Sequence, residues 1–90
     1  MPWKVEITPD ARADLNKLGA TEARRILKFL FERLQGRDNP RETGEPLKGN
    51  LREFWRYRVG DFRLLCRLED SMVTVFVVYI GHRRKVYKTK

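Results

Sequence analysis

Trp3, Val5 and Ile7 alternate with Lys4 and Glu6, the two-residue period of a half-buried strand. Thr8-Pro9-Asp10 then supplies a helix start: a hydroxyl to cap, a proline at the first helical position and a carboxylate at the positive dipole end. Ala11, Leu15 and Leu18 follow at helical spacing, and Gly19 gives the stop. Thr21 is the expected cap of a second, longer helix, in which Ile26, Leu27, Leu30, Phe31 and Leu34 share a face before Gly36. So short a link predicts an antiparallel helical hairpin. Residues 36–50, with Gly36, Asn39, Pro40, Gly44, Pro46, Gly49 and Asn50, form a loop on this pattern.

Three strands are predicted beyond it, over residues 53–59, 62–68 and 72–80. Gly60-Asp61 between the first two is a two-residue, glycine-first hairpin turn. The third, Met-Val-Thr-Val-Phe-Val-Val-Tyr-Ile, has too few polar residues for a solvated face and belongs at the centre of a sheet, ended by Gly81. The order β-α-α-β-β-β predicts one α+β domain over residues 1–90: a small, largely antiparallel sheet with an N-terminal helical hairpin packed on one face.

The turn fixes which side chains share a face. With Gly60 and Asp61 as the loop, Val59 opposes Phe62, Arg58 opposes Arg63, Tyr57 opposes Leu64 and Arg56 opposes Leu65. One face then carries Trp55, Tyr57, Val59, Phe62, Leu64, Cys66 and Leu68, all apolar or aromatic, and should meet the helices. The other carries Phe54, Arg56, Arg58, Arg63, Leu65 and Arg67, with no acidic residue from the hairpin among them. Like charges directly opposite destabilise a sheet, so Arg58 and Arg63 converge sensibly if an anion sits between them. The third strand is expected to add Phe76, Val78 and Ile80 as an apolar floor, a combination suited to single-stranded nucleic acid. A solvated outer face, where arginine is merely tolerated, is the competing reading.

Charge sharpens this picture. The chain has 20 Lys+Arg against 12 Asp+Glu, a formal charge of +8 in 90 residues. Residues 1–47 are nearly balanced; the excess lies in residues 48–68 and in the basic tail from His82 to Lys90, so a polyanion or an acidic partner should meet the second half. A single cysteine, Cys66, excludes an internal disulfide, and no Cys/His cluster suits a metal. Neither a signal peptide's apolar region nor an apolar run near ~18 residues is present, so a cytoplasmic domain with no membrane association is expected.

The run Phe54-Trp55-Arg56-Tyr57-Arg58-Val59-Gly60-Asp61-Phe62-Arg63-Leu64 is followed a strand later by Gly81-His82-Arg83-Arg84-Lys85-Val86-Tyr87 and preceded by Leu47-Lys48-Gly49. Together these segments resemble the RelE toxins of the RelE/ParE superfamily, over essentially the whole chain. The resemblance implies the toxin of a type II toxin–antitoxin pair: a ribosome-dependent endoribonuclease that cuts mRNA in the A site and inhibits translation. The 2′-OH attacks the adjacent phosphate, giving a 2′,3′-cyclic phosphate and a 5′-OH, with no metal or other cofactor. It assigns catalysis to Arg56, Arg58, Arg63, Arg83 and Tyr87, and contact with RNA or ribosome, including 16S rRNA, to Lys48, Arg52, Arg67, Arg84, Lys85 and Lys88. The implied partner is a cognate antitoxin that masks the basic face, with DNA reached only through that antitoxin. Some relatives carry lysines where this chain has Arg56 and Arg58. Arginine stays protonated and is a poor base, which leaves His82 as the candidate general base. The alternatives are a ParE-like DNA gyrase inhibitor, a non-catalytic RNA-binding module and a degenerate toxin that has lost catalysis.

Overall fold

Strand β1 (Lys4–Ile7) forms on the expected alternation, with Val5 buried and Lys4 and Glu6 exposed. The computed structural model describes residues 2–49 and 53–82. Helix α1 (Pro9–Asn16) starts as its sequence dictates: Thr8 Oγ1 accepts from the Ala11 N–H at 3.3 Å, and the same hydroxyl donates to Val77 O at 2.9 Å. One side chain thus caps the helix and ties it to the sheet. Helix α2 (Ala20–Phe29) has Gly19 as its N-cap, so Thr21 lies inside the first turn and does not cap. Gly19 turns the chain at φ +90°, a conformation open to glycine, and the next helix starts at once. A π-helical turn, Leu30–Leu34, extends α2; it keeps Leu30 and Leu34 fully buried and leaves Phe31, expected on the apolar face, 43% exposed.

The stretch read as loop contains a 3-10 turn, Pro40–Glu42, and a two-residue strand β2 (Glu45–Pro46). Strands β3 (Trp55–Val59), β4 (Phe62–Glu69) and β5 (Thr74–His82) complete a five-stranded sheet ordered β1-β5-β4-β3-β2. Only the β1–β5 pair is parallel. This is the expected α+β fold. The third main strand begins late because Asp70–Met72 form a 3-10 turn and Val73 adopts φ +48°. It also runs on through Gly81.

The helices cover one face of the sheet, where Ile26, Leu30, Tyr57, Leu64, Val75 and Val77 belong to one buried cluster. The loop before β2 is fastened to β3 by side chains: Trp55 Nε1 donates to Thr43 O at 2.8 Å, and the Tyr57 hydroxyl to Pro40 O at 2.6 Å. Arg41 adds a bidentate pair with Asp70, both contacts at 3.0 Å. Among the described residues no helix is long and apolar enough to cross a membrane.

Candidate active site

The β3–β4 hairpin has the register its turn imposes. Gly60, at φ +60°, and Asp61 close the loop, Val59 pairs with Phe62, and Arg58 pairs with Arg63. Tyr57, Val59, Leu64 and Cys66 are buried under the helices. Arg56, Arg58, Arg63 and Arg67 therefore occupy the opposite face of the sheet.

The floor beneath them differs from the alternation expected for β5. A β-bulge at Leu65/Cys66 shifts the β4–β5 register, so Leu65 pairs with Tyr79 and Cys66 with Val77. The extra residue turns Ile80, expected on the arginine face, into the core, where it is 3% exposed opposite Leu64. Tyr79 takes the outer position across from Leu65, and Gly81 stands across from Arg63. Phe76, paired with Arg67, stays on the outer face. Gly81 brings no side chain next to Arg63, whose Nε is buried. A strand alternation carries no signal for a bulge and so cannot place Tyr79 on this face.

The four arginines are not equivalent. Arg56 is mostly buried and its guanidinium makes an ion pair with Glu45, its direct cross-strand neighbour on β2. Arg67 bonds Glu69 at 3.1 Å. Arg63 is half-buried. Arg58 is exposed, and among the described residues no carboxylate forms an ion pair with it. The hairpin thus sets a guanidinium with no ion pair among the described residues directly opposite a second arginine.

Glu45 is the site residue that periodicity could not find. A strand of two residues, one of them proline, leaves no repeat, and its place beside Arg56 comes from tertiary pairing. His82 is not brought to the arginine face: it pairs with Phe62, the two rings edge to face at 5.8 Å, on the side that meets the core. Lys48 is exposed just past β2. Arg52, Arg83, Arg84, Lys85, Tyr87 and Lys88 lie outside the described residues. Cys66 offers no nucleophile, because complete burial pushes its thiol pKa up.

Comparison with known proteins places this arrangement. The family model described as the ParE toxin of the type II toxin–antitoxin system parDE matches residues 5–87. The chain is 34% identical over 88 residues to the toxin RelG of Mycobacterium tuberculosis, covering 98% of this chain and 99% of that protein. The chain belongs to the RelE/ParE toxin superfamily. This RelE-like toxin is also 31% identical to the M. tuberculosis toxin RelE, over 97% of its own length and 88% of the relative's. Its fold matches the crystal structure of the toxin–antitoxin complex RelBE2 from that organism. The TM-score is 0.83 at 34% identity, with 92% of this chain and 93% of the other covered.

Proposed function

We propose that this RelE-like toxin is a ribosome-dependent endoribonuclease that cuts mRNA in the A site. One observation carries the proposal: Arg58 and Arg63 stand directly opposite each other, with only Gly81 beside Arg63 on the next strand. Such a pair is repulsive on its own and becomes favourable around a phosphate whose charge grows at a pentacoordinate transition state. The ribosome supplies the bent RNA geometry, so the toxin need not hold RNA tightly alone.

The base is Glu45. A carboxylate accepts a proton where Arg56 and Arg58 cannot, and the Arg56 ion pair fixes its position at the edge of the arginine face. Glu45 takes the 2′-OH proton, the 2′-oxygen bonds to phosphorus, and the bond from phosphorus to the 5′-oxygen breaks. Arg83 supports the phosphate or the leaving oxygen, and Tyr87 stacks on a base or helps transfer a proton to that oxygen. Charge on the phosphate is met by guanidinium groups, without a metal. A cognate antitoxin restrains the toxin by covering the arginine face; the RelBE2 relative is itself a toxin–antitoxin complex.

The test is primer extension on ribosome-programmed mRNA. Arg63→Ala should lower cleavage by about 10²–10³-fold, and Glu45→Gln by about 10²–10⁴-fold. His82→Ala should leave it intact, and the product should carry a 2′,3′-cyclic phosphate. Intact mRNA together with accumulating gyrase–DNA breaks would assign the toxin to the ParE activity instead. RNA binding without any cyclic-phosphate product would leave only a binding module.

A further inference from the structure

Beside the arginine face, at the free edge of β3, lies a cavity of about 380 Å³ that extends from Glu45, Arg56 and Arg58 to the end of the helix, beyond the residues given to cleavage. That size falls in the range of small-ligand pockets, roughly 300–1,000 Å³. Its inner wall is apolar: half-buried Phe29 of α2, tilted against the buried Tyr57 ring with centroids 5.9 Å apart, with Leu34 of the π turn packed behind it. Arg33 and Arg37 flank it from the end of the helix. Arg37 Nε donates to Arg33 O at 2.8 Å, which anchors that guanidinium. Arg58 closes the side facing the arginine pair.

The strand edge contributes main-chain groups as well. The Leu47 N–H donates to Phe54 O, so alternate residues of this segment turn their amides and carbonyls toward β2. Arg58 has the same parity, but β2 stops at Glu45, paired with Arg56. Gly44, at φ +77°, turns the chain away and leaves the Arg58 edge facing the cavity. The acidic groups on the wall are Glu45, engaged by Arg56, and Glu42. Arg33, Arg37 and Arg58 outnumber Glu42, so the cavity favours an anion with an apolar part.

We infer that this cavity is a nucleotide subsite, holding the RNA nucleotide next to the one cleaved between Arg58 and Arg63. Half-buried Phe29 contacts its base, and the exposed Arg33 and Arg37 its phosphate. The inference rests on the cleavage reading for its choice of RNA over an acidic peptide. Arg58, shared by cavity and arginine pair, links the two sites.

The probes are adenosine and uridine 5′-monophosphates, inorganic phosphate and a hexaglutamate peptide, titrated into the isotope-labelled toxin and followed by amide NMR shifts. Both nucleotides should move the amides of Phe29, Arg33, Tyr57 and Arg58, and phosphate alone should bind more weakly. Arg33→Gln with Arg37→Gln should weaken nucleotide binding about tenfold or more, since each removes a charge-assisted contact. The same double variant should raise KM for ribosome-bound mRNA and leave kcat unchanged, and its circular dichroism should match wild type. Tighter binding of hexaglutamate than of the nucleotides, or nucleotide shifts unaffected by the double substitution, would overturn the subsite. If nucleotides bind the cavity while mRNA stays whole, the subsite stands and the cleavage reading falls. If mRNA is cut with unchanged KM in the double variant, cleavage stands and the subsite falls.

Discussion

Gly44→Ala tests whether the loop before β2 must press against β3 to seat Glu45. A Cβ at Gly44 would lie 2.5 Å from Arg56 O, 2.6 Å from Trp55 Nε1 and 2.8 Å from Tyr57 Cδ1. The first of these is main chain of a paired strand and cannot swing aside. The backbone at φ +77° adds its own penalty, about 1–2 kcal/mol for a residue with a side chain. Forcing apart packed groups adds about 1–3 kcal/mol, so the total is about 2–4 kcal/mol after the small gain from a stiffer unfolded chain. For a domain of this size each kcal/mol lowers Tm by about 4–8 °C, so a fall of about 8–32 °C is expected. Gly36→Ala is the control, since Gly36 has φ +86° and nothing within 4 Å of its Cβ position. It carries the backbone penalty without the collision. The assay is thermal unfolding of both variants by circular dichroism. If Gly44→Ala melts within a few degrees of Gly36→Ala, the loop is not seated as described, and the positioning of Glu45 goes with it.

Arg58→Gln removes one member of a directly opposed like-charged pair, so stability should rise by about 0.2–0.5 kcal/mol while mRNA cleavage falls about 100-fold or more. Thermal unfolding and primer extension on the same preparation check both halves, and a loss of stability would contradict the repulsion. Tyr57→Phe deletes a buried donor and strands the Pro40 carbonyl, at a cost of about 1–2 kcal/mol in urea unfolding. Burial pushes the pKa of both the Tyr57 hydroxyl and the Cys66 thiol up, so the folded state binds protons that the unfolded chain releases at high pH. Their contribution is whole below the unfolded values, about 8.5 for the thiol and about 10 for the phenol, and declines as pH rises through and beyond them. Urea midpoints should therefore be level between about pH 6 and 8 and fall above about pH 9, with a shallower fall in Tyr57→Phe.

Local rules determined the hairpin. A two-residue turn leaves one register, and that register alone put Arg58 opposite Arg63 and Tyr57 among core side chains. What escaped the sequence was set by contacts distant along the chain. The bulge at Leu65/Cys66 is a compromise between β5 and β4 that exchanges Ile80 for Tyr79 on the outer face. The β2–β3 pairing spans a turn-rich stretch, and its two residues carry no alternation. The widened turn at Leu30–Leu34 likewise has no propensity signature, so the regular helical repeat puts Phe31 on a face it does not occupy.

The contrast between Arg56 and Arg58 explains why counting basic residues on a face is a poor guide to the chemistry there. Both sit on β3, two residues apart, with side chains on the same side of the sheet. Arg56 has a cross-strand carboxylate and Arg58 a cross-strand arginine. A fold selected for stability alone would gain from an acid opposite Arg58, as it has opposite Arg56. Tolerated repulsion at one pair and neutralisation at the next make sense together if the pairs have different tasks. On the proposed mechanism, Arg58 and Arg63 stabilise a phosphate that arrives from outside, and Arg56 holds the carboxylate that takes the 2′-OH proton. Replacing Arg56 by Lys should then keep partial activity, since a point charge still holds Glu45. Lysine cannot reproduce a bidentate phosphate grip, so the same change at Arg63 should cost nearly as much as alanine. Equal losses at the two positions in primer extension would show that Arg56 acts on the phosphate and not through Glu45.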